Sequence, residues 1–247
     1  MIELRQLTRR FGELVAVDHL SLTVQPGEIY GFLGPNGAGK TTAIRMLNGL
    51  VRPTSGTALV CGFDVVDQPT EARRVTGYVP DNPFLYDRLT AREHLRFIAD
   101  VFRLPDRSAR READHWLELF QLTRSDSLLV EGYSRGMRQK LALAAALLHH
   151  PKALFLDEPT VGLDPQGMKQ LRDVLRDRAA DGAAVLLSTH SLDIAERLCD
   201  RVGIINRGVL LTEGVPGALR DQMQAASLED LFLQLTAPSE PAEGDAQ

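Results

Sequence analysis

One segment restricts the possible folds of this chain more than any other. Residues 34–41 read Gly-Pro-Asn-Gly-Ala-Gly-Lys-Thr and match the pattern G-x-x-x-x-G-K-[ST]. An apolar run at residues 29–33 precedes them, and apolar residues at helical spacing follow from about residue 40 to residue 50. Glycines let successive backbone N–H groups converge on an anion, and the helix start adds its positive dipole end. The segment therefore predicts a strand, a phosphate-binding loop and a helix; an ordinary glycine-rich turn is the alternative.

The predicted loop places side chains along a bound nucleoside triphosphate. Lys40 is expected to reach the β and γ phosphates, Thr41 to bind Mg²⁺ through its hydroxyl, and Thr42 to hydrogen-bond an α-phosphate oxygen. The candidate nucleotide-binding residues of this segment are Gly34, Pro35, Asn36, Gly37, Ala38, Gly39, Lys40, Thr41 and Thr42. The expected ligands are therefore a nucleotide and a magnesium ion.

A pair of carboxylates follows a second apolar run. Residues 153–156 lead directly into Asp157 and Glu158, so both side chains are expected at the edge where open α/β sheets bind ligands. Because neighbouring strand residues face opposite ways, Asp157 is expected to hold Mg²⁺ and Glu158 to act as general base toward an attacking water. The alternative is a helix start, since Pro159 suits a first helical turn.

A histidine follows a third apolar run. His190 comes after residues 183–187 and two hydroxyl-bearing residues, Ser188 and Thr189. With an ordinary pKa of about 6.5, an imidazole there is able to hydrogen-bond a γ-phosphate oxygen or polarise the attacking water. A lone histidine is otherwise a capped or core residue. The expected position of His190 at the same sheet edge as Asp157 favours the catalytic role.

The remaining pattern predicts an α/β domain with a helical insertion. Apolar runs alternate with helical patterns, which indicates a parallel sheet. Between residues 90 and 150 the β-branched runs disappear and amphipathic helices follow one another. Residues 202–205 and 209–212 flank Asn206-Arg207-Gly208, a short turn that predicts a β-hairpin.

Charge and hydropathy exclude several classes of protein. The formal net charge is −5, so no overall basic field attracts nucleic acid. The longest strongly apolar stretch, residues 141–148, falls well short of the roughly 20 residues that a membrane-spanning helix needs. The first residues lack the basic leader and apolar core of a secretory signal, so a cytoplasmic location is expected. Residues 236–247, rich in Pro, Glu and Ala, are expected to form an unstructured tail behind a domain of residues 1–235.

Together with the loop, three further segments resemble the nucleotide-binding subunit of ABC transporters. They are Asp157-Glu158-Pro159-Thr160, similar to the second nucleotide motif, Gly162-Leu163-Asp164-Pro165, similar to the D-loop, and Ser188-Thr189-His190, similar to the switch-histidine segment. The order and spacing agree, and the resemblance extends over residues 1–235. It implies an α/β fold of the P-loop NTPase class, with a RecA-like core sheet, an N-terminal antiparallel β subdomain and an α-helical subdomain inserted at about residues 86–150. The implied ligands are ATP and Mg²⁺.

The signature of that family, normally LSGGQ, resembles residues 133–137, Tyr-Ser-Arg-Gly-Met. Ser134 and Gly136 are retained, and the resemblance implies that they bind the γ-phosphate of ATP held by a second copy. Arg135 stands where the family has glycine, which changes the backbone conformation expected there. The alternative for this segment is a helix cap formed by Ser134.

Two more residues enter the site through the resemblance. Phe11 resembles the aromatic residue that stacks on adenine, and a core phenylalanine on an early strand is the alternative. Asp81 stands where the family usually has a glutamine that reaches Mg²⁺ and water, so direct or water-mediated metal binding by its carboxylate is expected. Asn82 is an alternative contact, and a plain turn at residues 80–83 is the remaining interpretation.

The resemblance implies an ATPase that works in pairs. Two copies, or two related nucleotide-binding subunits, would enclose two MgATP and drive a separate membrane permease, at the inner face of the membrane. The signature and aspartate loop are most similar to exporter-type members. The permease would dock near residues 81–89, where Phe84, Leu85 and Tyr86 offer apolar surface, unless the insertion buries them.

Two other functions compete with transport. A soluble ABC-type ATPase acting on nucleic acid or ribosomes needs a long coiled-coil insertion or a second ATPase unit, which 247 residues do not supply. A small-molecule kinase with the same loop needs an acceptor pocket and a lid, and it leaves the Ser134 segment unexplained. No nucleic-acid partner is therefore expected.

Overall fold

The structure is a computed structural model, and it describes residues 1–223 and 225–237. Its strands are β1 Ile2–Phe11, β2 Leu14–Val24, β3 Ile29–Leu33, β4 Ser55–Val60, β5 Phe63–Asp64, β6 Thr76–Val79, β7 Ala153–Asp157, β8 Ala184–Thr189, β9 Arg201–Asn206 and β10 Val209–Gly214. Its helices are α1 Lys40–Leu47, α2 Pro69–Arg74, α3 Ala91–Val101, α4 Asp106–Leu119, α5 Arg135–Leu147, α6 Pro165–Ala180, α7 Leu192–Leu198, α8 Pro216–Gln222 and α9 Leu228–Thr236. The expected tail, residues 236–247, lies outside the described residues apart from Thr236, which ends α9, and Ala237.

The strands form two sheets. The larger has the order β10-β9-β3-β8-β7-β6 and is parallel except for β10, which pairs antiparallel with β9. The smaller sheet has the order β2-β1-β4-β5 and is antiparallel. In the parallel sheet Leu33 pairs with Thr189, and Asp157 pairs with Ser188. The carboxyl ends of β3, β7 and β8 therefore meet at one edge, as the predicted fold class requires.

Both faces of the parallel sheet are buried, so its central strands read as continuous apolar runs. Phe155 and Leu186 face a core shared with the antiparallel sheet and α1. The alternate residues Leu154 and Leu187 face a second core, which they share with α3 to α7. Packing on both faces therefore positions the loops at the carboxyl ends of these strands.

The first helix is shorter than the sequence pattern predicts. The predicted helix continues to about residue 50, whereas α1 ends at Leu47. Gly49 has a φ of +64°, and its N–H donates to the carbonyl of Met46 at 2.9 Å. A glycine in the left-handed conformation just after the last turn ends a helix, and the apolar spacing does not reveal it.

The amphipathic segments between the parallel strands form α3, α4 and α5. Thr90 and Glu93 cap α3 reciprocally, because the Thr90 side chain accepts from the Glu93 N–H and the Glu93 carboxylate accepts from the Thr90 N–H. Trp116 and Phe120 stack inside this helical layer. None of the helices in the described part of the chain is long and apolar enough to cross a membrane.

Candidate functional site

The phosphate-binding loop leaves β3, turns sharply and enters α1. Gly37 and Gly39 have φ values of +80° and +107°, which side chains other than glycine rarely adopt. A Cβ on Gly39 would clash with the carbonyl oxygen of Ala16, and a Cβ on Gly34 with that of Ile205. Positive φ therefore requires glycine at positions 37 and 39, and close backbone contacts require it at positions 34 and 39.

Lys40 is folded back into this loop. Its Nζ donates to the carbonyl oxygens of Gly34 and Pro35, the latter at 3.1 Å, and the side chain is buried. Burial lowers the pKa of Lys40, while the carboxylates of Glu158 and Asp157 act in the opposite direction. The ammonium group is therefore held at the centre of the loop by backbone oxygens that a phosphate is able to replace.

Asp157 ends β7 with one oxygen bonded and one unpartnered. Ser188 Oγ donates to Asp157 Oδ1 at 2.5 Å, and the aspartate is only 2% exposed. Asp157 Oδ2 is buried and has no hydrogen-bond partner among the described residues. A buried carboxylate oxygen without a partner is costly, so this atom fits a ligand from outside the chain.

The residues near Asp157 fit a magnesium ion that brings further ligands with it. Thr41 and Asp81 line the same cleft as Asp157 and offer oxygen atoms, which Mg²⁺ prefers. The described residues contain no group of three or more His, Cys, Asp and Glu side chains able to hold a metal ion. Mg²⁺ bound here would take its remaining ligands from phosphate and water, as it does in many nucleotide sites.

Glu158 and His190 lie together, although not in the way the strand pattern predicts. The strand ends at Asp157, and Glu158 has a φ of +50°, so a left-handed turn rather than strand alternation sets its direction. The prediction that strand alternation points the Asp157 and Glu158 side chains in opposite directions was therefore wrong, because Glu158 is not part of the strand. His190 Nδ1 lies 2.9 Å from Glu158 Oε2, and the imidazole is 64% exposed.

A cleft of about 630 Å³ runs along the loop, and it is called the nucleotide cleft below. Its lining residues are Phe11, Leu14, Val15, Ala16, Pro35, Asn36, Gly37, Ala38, Gly39, Lys40, Thr41, Thr42, Asp81, Asp157, Glu158 and Arg207. Phe11 is 45% exposed, with the Arg9 guanidinium 4.3 Å from its ring centroid, which excludes the core alternative. Asn82, the alternative to Asp81, does not line the cleft. Arg207 was not predicted, because its turn carries no nucleotide motif.

The signature segment lies away from the nucleotide cleft of its own chain. Ser134 caps α5, its hydroxyl accepting from the Met137 N–H at 3.3 Å, so the helix-cap alternative describes its contact within the chain. Gly136 packs so closely on residue 162 that an added Cβ would lie 2.6 Å from the Gly162 carbonyl oxygen. Neither Ser134 nor Gly136 lines the cleft. Within one copy, both residues therefore lie outside the cleft formed by the loop and the carboxylates.

The family described as "ABC transporter" matches residues 17–161, which includes the loop and both carboxylates. The chain belongs to the ABC transporter family. It is an ATP-binding cassette of that family, with the ATPase fold that the sequence motifs predict.

Two curated relatives illustrate the similarity of this cassette to proteins of known description. It is 39% identical over 240 residues to the "Probable multidrug ABC transporter ATP-binding protein YbhF" of Escherichia coli, covering 95% of this chain and 41% of that protein. The chain thus spans less than half of the length of that relative. It is 42% identical over 218 residues to the "Nod factor export ATP-binding protein I" of Burkholderia lata, covering 88% of this chain and 72% of the relative.

Solved structures share the fold of this ABC cassette. An ATP-binding subunit of an ABC transporter superposes with a TM-score of 0.90 at 34% identity, covering 95% of this chain and 99% of the other. A dimeric ATP-binding cassette in a post-hydrolysis state, bound to ADP and phosphate, superposes with a TM-score of 0.77 at 26% identity, covering 87% and 98%. These similarities confirm the predicted fold class of an α/β P-loop NTPase with two sheets and a helical layer.

Proposed function

We propose that two copies of this chain, or one copy and a related subunit, close around two MgATP molecules and drive a separate membrane permease. The separation of Ser134 and Gly136 from the nucleotide cleft carries the proposal. The cleft contains the loop, the carboxylates and the aromatic residue, and it lacks the signature segment. A second copy facing the first would supply Ser134 and the amino-terminal end of α5 to the γ-phosphate. The active site is then complete only in the pair.

In this arrangement each side chain at the sheet edge has one task. Lys40 exchanges its bonds to loop carbonyls for bonds to the β and γ phosphates. Glu158 accepts the proton of the attacking water, and His190, whose Nδ1 lies 2.9 Å from Glu158 Oε2, contacts the γ-phosphate. Thr41, Asp157 and Asp81 hold Mg²⁺, which would neutralise charge on the transferring phosphoryl group.

An exposed aromatic surface supports a permease partner. Phe84 is 88% exposed and Tyr86 is 47% exposed, whereas Leu85 is buried in the helical layer. The two exposed rings lie edge to face, 6.5 Å apart, and line a groove of about 470 Å³ together with Phe97. Of the three residues expected at this surface, Phe84 and Tyr86 are therefore exposed to a helix of the permease, whereas Leu85 lines the groove but is only 5% exposed.

A backbone hydrogen bond and a side-chain ion pair connect this aromatic surface to the signature segment. The Val130 N–H donates to the Leu89 carbonyl at 2.9 Å, and Arg138 forms an ion pair with Asp87 at 2.7 Å. A displacement of residues 84–90 by the permease would therefore move the segment just before Ser134 and the first turns of α5. This path offers a means of coupling nucleotide closure to the membrane subunit.

The names of three relatives bear on the direction of transport. The Escherichia coli protein is named for multidrug transport, the Burkholderia lata protein for Nod factor export, and a 43% identical Bacillus licheniformis protein for bacitracin transport. We therefore favour export, with the cassette at the cytoplasmic face of the membrane through its permease. A nucleic-acid partner has no support in the net charge of −5.

Complementation between two inactive variants tests the shared site. Lys40→Ala disables the loop and Ser134→Arg disables the signature, so each protein alone is expected to lose most of its ATPase activity. Mixed dimers of the two hold one intact site, formed by the loop of one copy and the signature of the other. Mixing equal amounts should restore up to about a quarter of wild-type activity, since half of the dimers are then mixed.

The controls are the folded state of each variant, from circular dichroism, and subunit exchange in nucleotide-free buffer before the assay. If the Ser134→Arg protein alone hydrolyses ATP at the wild-type rate, the signature does not complete the site and the proposal is wrong.

A further inference from the structure

Arg207 is a cation in the nucleotide cleft to which no motif assigns a role. It lies in the turn between β9 and β10 and lines the cleft with Phe11, the start of β2 and the loop. The side chain is exposed, and the ion pairs formed by the described residues do not include it. An arginine with a free guanidinium group at a phosphate site is well suited to bind an anion.

The turn that carries Arg207 is fastened to the cleft on two sides. The Gly208 N–H donates to the Ala38 carbonyl at 2.9 Å, and the Gly208 carbonyl accepts from the Asp18 N–H at 2.9 Å. Arg207 and Gly208 have φ values of +48° and +82°, the pair of left-handed residues found in tight hairpin turns. The base of the arginine side chain is thus held in place before any ligand binds, which lowers the entropic cost of a contact.

The position of this turn indicates which part of the nucleotide Arg207 meets. Its bonds reach Ala38 in the phosphate-binding loop and Asp18 in β2, the strand that begins beside Phe11. If adenine lies on Phe11 and the β and γ phosphates lie at Lys40, the anionic group of the nucleotide between them is the α-phosphate. A cation that lines the same cleft on a turn bonded to the phosphate-binding loop is suited to that group.

The charges that line the cleft favour such a contact. Its lining contains three carboxylates, Asp81, Asp157 and Glu158, and two cations, Lys40 and Arg207. Lys40 is buried in the loop, whereas the Arg207 side chain is exposed. An anionic nucleotide that enters a cleft with an excess of carboxylates gains from a second cation in the lining.

We infer that Arg207 binds the α-phosphate of the nucleotide and holds ATP and ADP equally. This inference rests on the proposed function, because it needs adenine nucleotides in this cleft. A contact to the α-phosphate strengthens binding of substrate and transition state alike, so it lowers KM and leaves kcat unchanged.

Arg207→Asn tests the inference without disturbing the turn. Asparagine tolerates the left-handed conformation, and Asn-Gly is a favoured hairpin sequence, so the variant removes the guanidinium group alone. Arg103→Asn is the matched control, because Arg103 is also exposed and has a φ of +55°, and it lies outside the cleft. Equilibrium binding of MgATP, ADP and adenosine is measured by titration calorimetry, and the steady-state ATPase rate is measured on the same samples.

The expected result is a loss of about three- to tenfold in affinity for both MgATP and ADP, with adenosine unchanged. KM should rise by the same factor at constant kcat, Arg207→Lys should recover part of the affinity, and Arg103→Asn should match the wild type. A loss confined to MgATP, or no loss, overturns the inference. Failure of the wild type itself to bind MgATP would instead overturn the proposed function.

Discussion

The Ser188 hydroxyl is predicted to stabilise the fold by holding the Asp157 carboxylate in place. Ser188 and Asp157 are paired across β8 and β7, and the hydroxyl donates to Asp157 Oδ1 at 2.5 Å. Ser188 is fully buried, and no solvent replaces its bond. Ser188→Ala removes the donor and leaves a second oxygen of Asp157 buried beside Oδ2, which already lacks a partner among the described residues.

The size of the effect follows from these contacts. A hydrogen bond to a charged group contributes about 1.5–3 kcal/mol, and a buried acceptor left without a partner costs a comparable amount. Ser188→Ala should therefore lower the free energy of unfolding by about 2–3 kcal/mol. In a chain of this length that corresponds to a fall in Tm of about 5–10 °C.

Urea denaturation followed by circular dichroism measures this loss, and a double-mutant cycle assigns it. In the Asp157→Asn background the acceptor is neutral, so Ser188→Ala should cost about 1 kcal/mol less than in the wild type. An effect of Ser188→Ala below about 0.5 kcal/mol, or strict additivity of the two substitutions, would refute the reasoning.

Three other substitutions test a buried histidine and the phosphate-binding loop. Burial lowers the pKa of His149 to about 4 from an ordinary 6.5, so the unfolded chain takes up a proton first as the pH falls. The stability present above pH 6.5 should drop by about 3 kcal/mol toward pH 4, and urea titrations should show a smaller drop for His149→Gln, whose amide is able to bond to the Thr76 carbonyl. Gly39→Ala should destabilise the chain by more than Gly37→Ala in the same assay, because a Cβ at residue 39 clashes with the Ala16 carbonyl while residue 37 has open space. Equal effects of the two glycine substitutions would contradict the clash.

Features encoded by contiguous residues could be predicted from the sequence. The loop is one run of eight residues, and the apolar runs before Lys40, Asp157 and His190 each end at the sheet edge where the structure places these side chains. Parallel pairing of the strands is then enough to bring their three carboxyl ends to one edge of the sheet. The predicted fold class was correct for this reason.

Features that depend on distant pairings could not be predicted in this way. The direction of Glu158 depends on one left-handed φ, which strand alternation does not encode. The Ser188 bond to Asp157 depends on the register of β8 against β7, and the position of Arg207 depends on how a hairpin docks on β2 and the loop. For Ser188 and Arg207, the deciding partner lies far away in the sequence. For Glu158, the deciding feature is a backbone angle that its residue type does not encode.

Nucleotide-dependent association of two copies is the central claim, and the molecular mass of Glu158→Gln tests it most directly. This variant should bind MgATP and lose at least about a hundredfold in turnover, equivalent to roughly 2.7 kcal/mol of transition-state stabilisation. Light scattering on a sizing column should then give about twice the 27.2 kDa of one chain in MgATP, and the single-chain mass in MgADP. A folded Glu158→Gln protein that binds MgATP and stays at the mass of one chain, while the wild type hydrolyses ATP at full rate, would contradict the account.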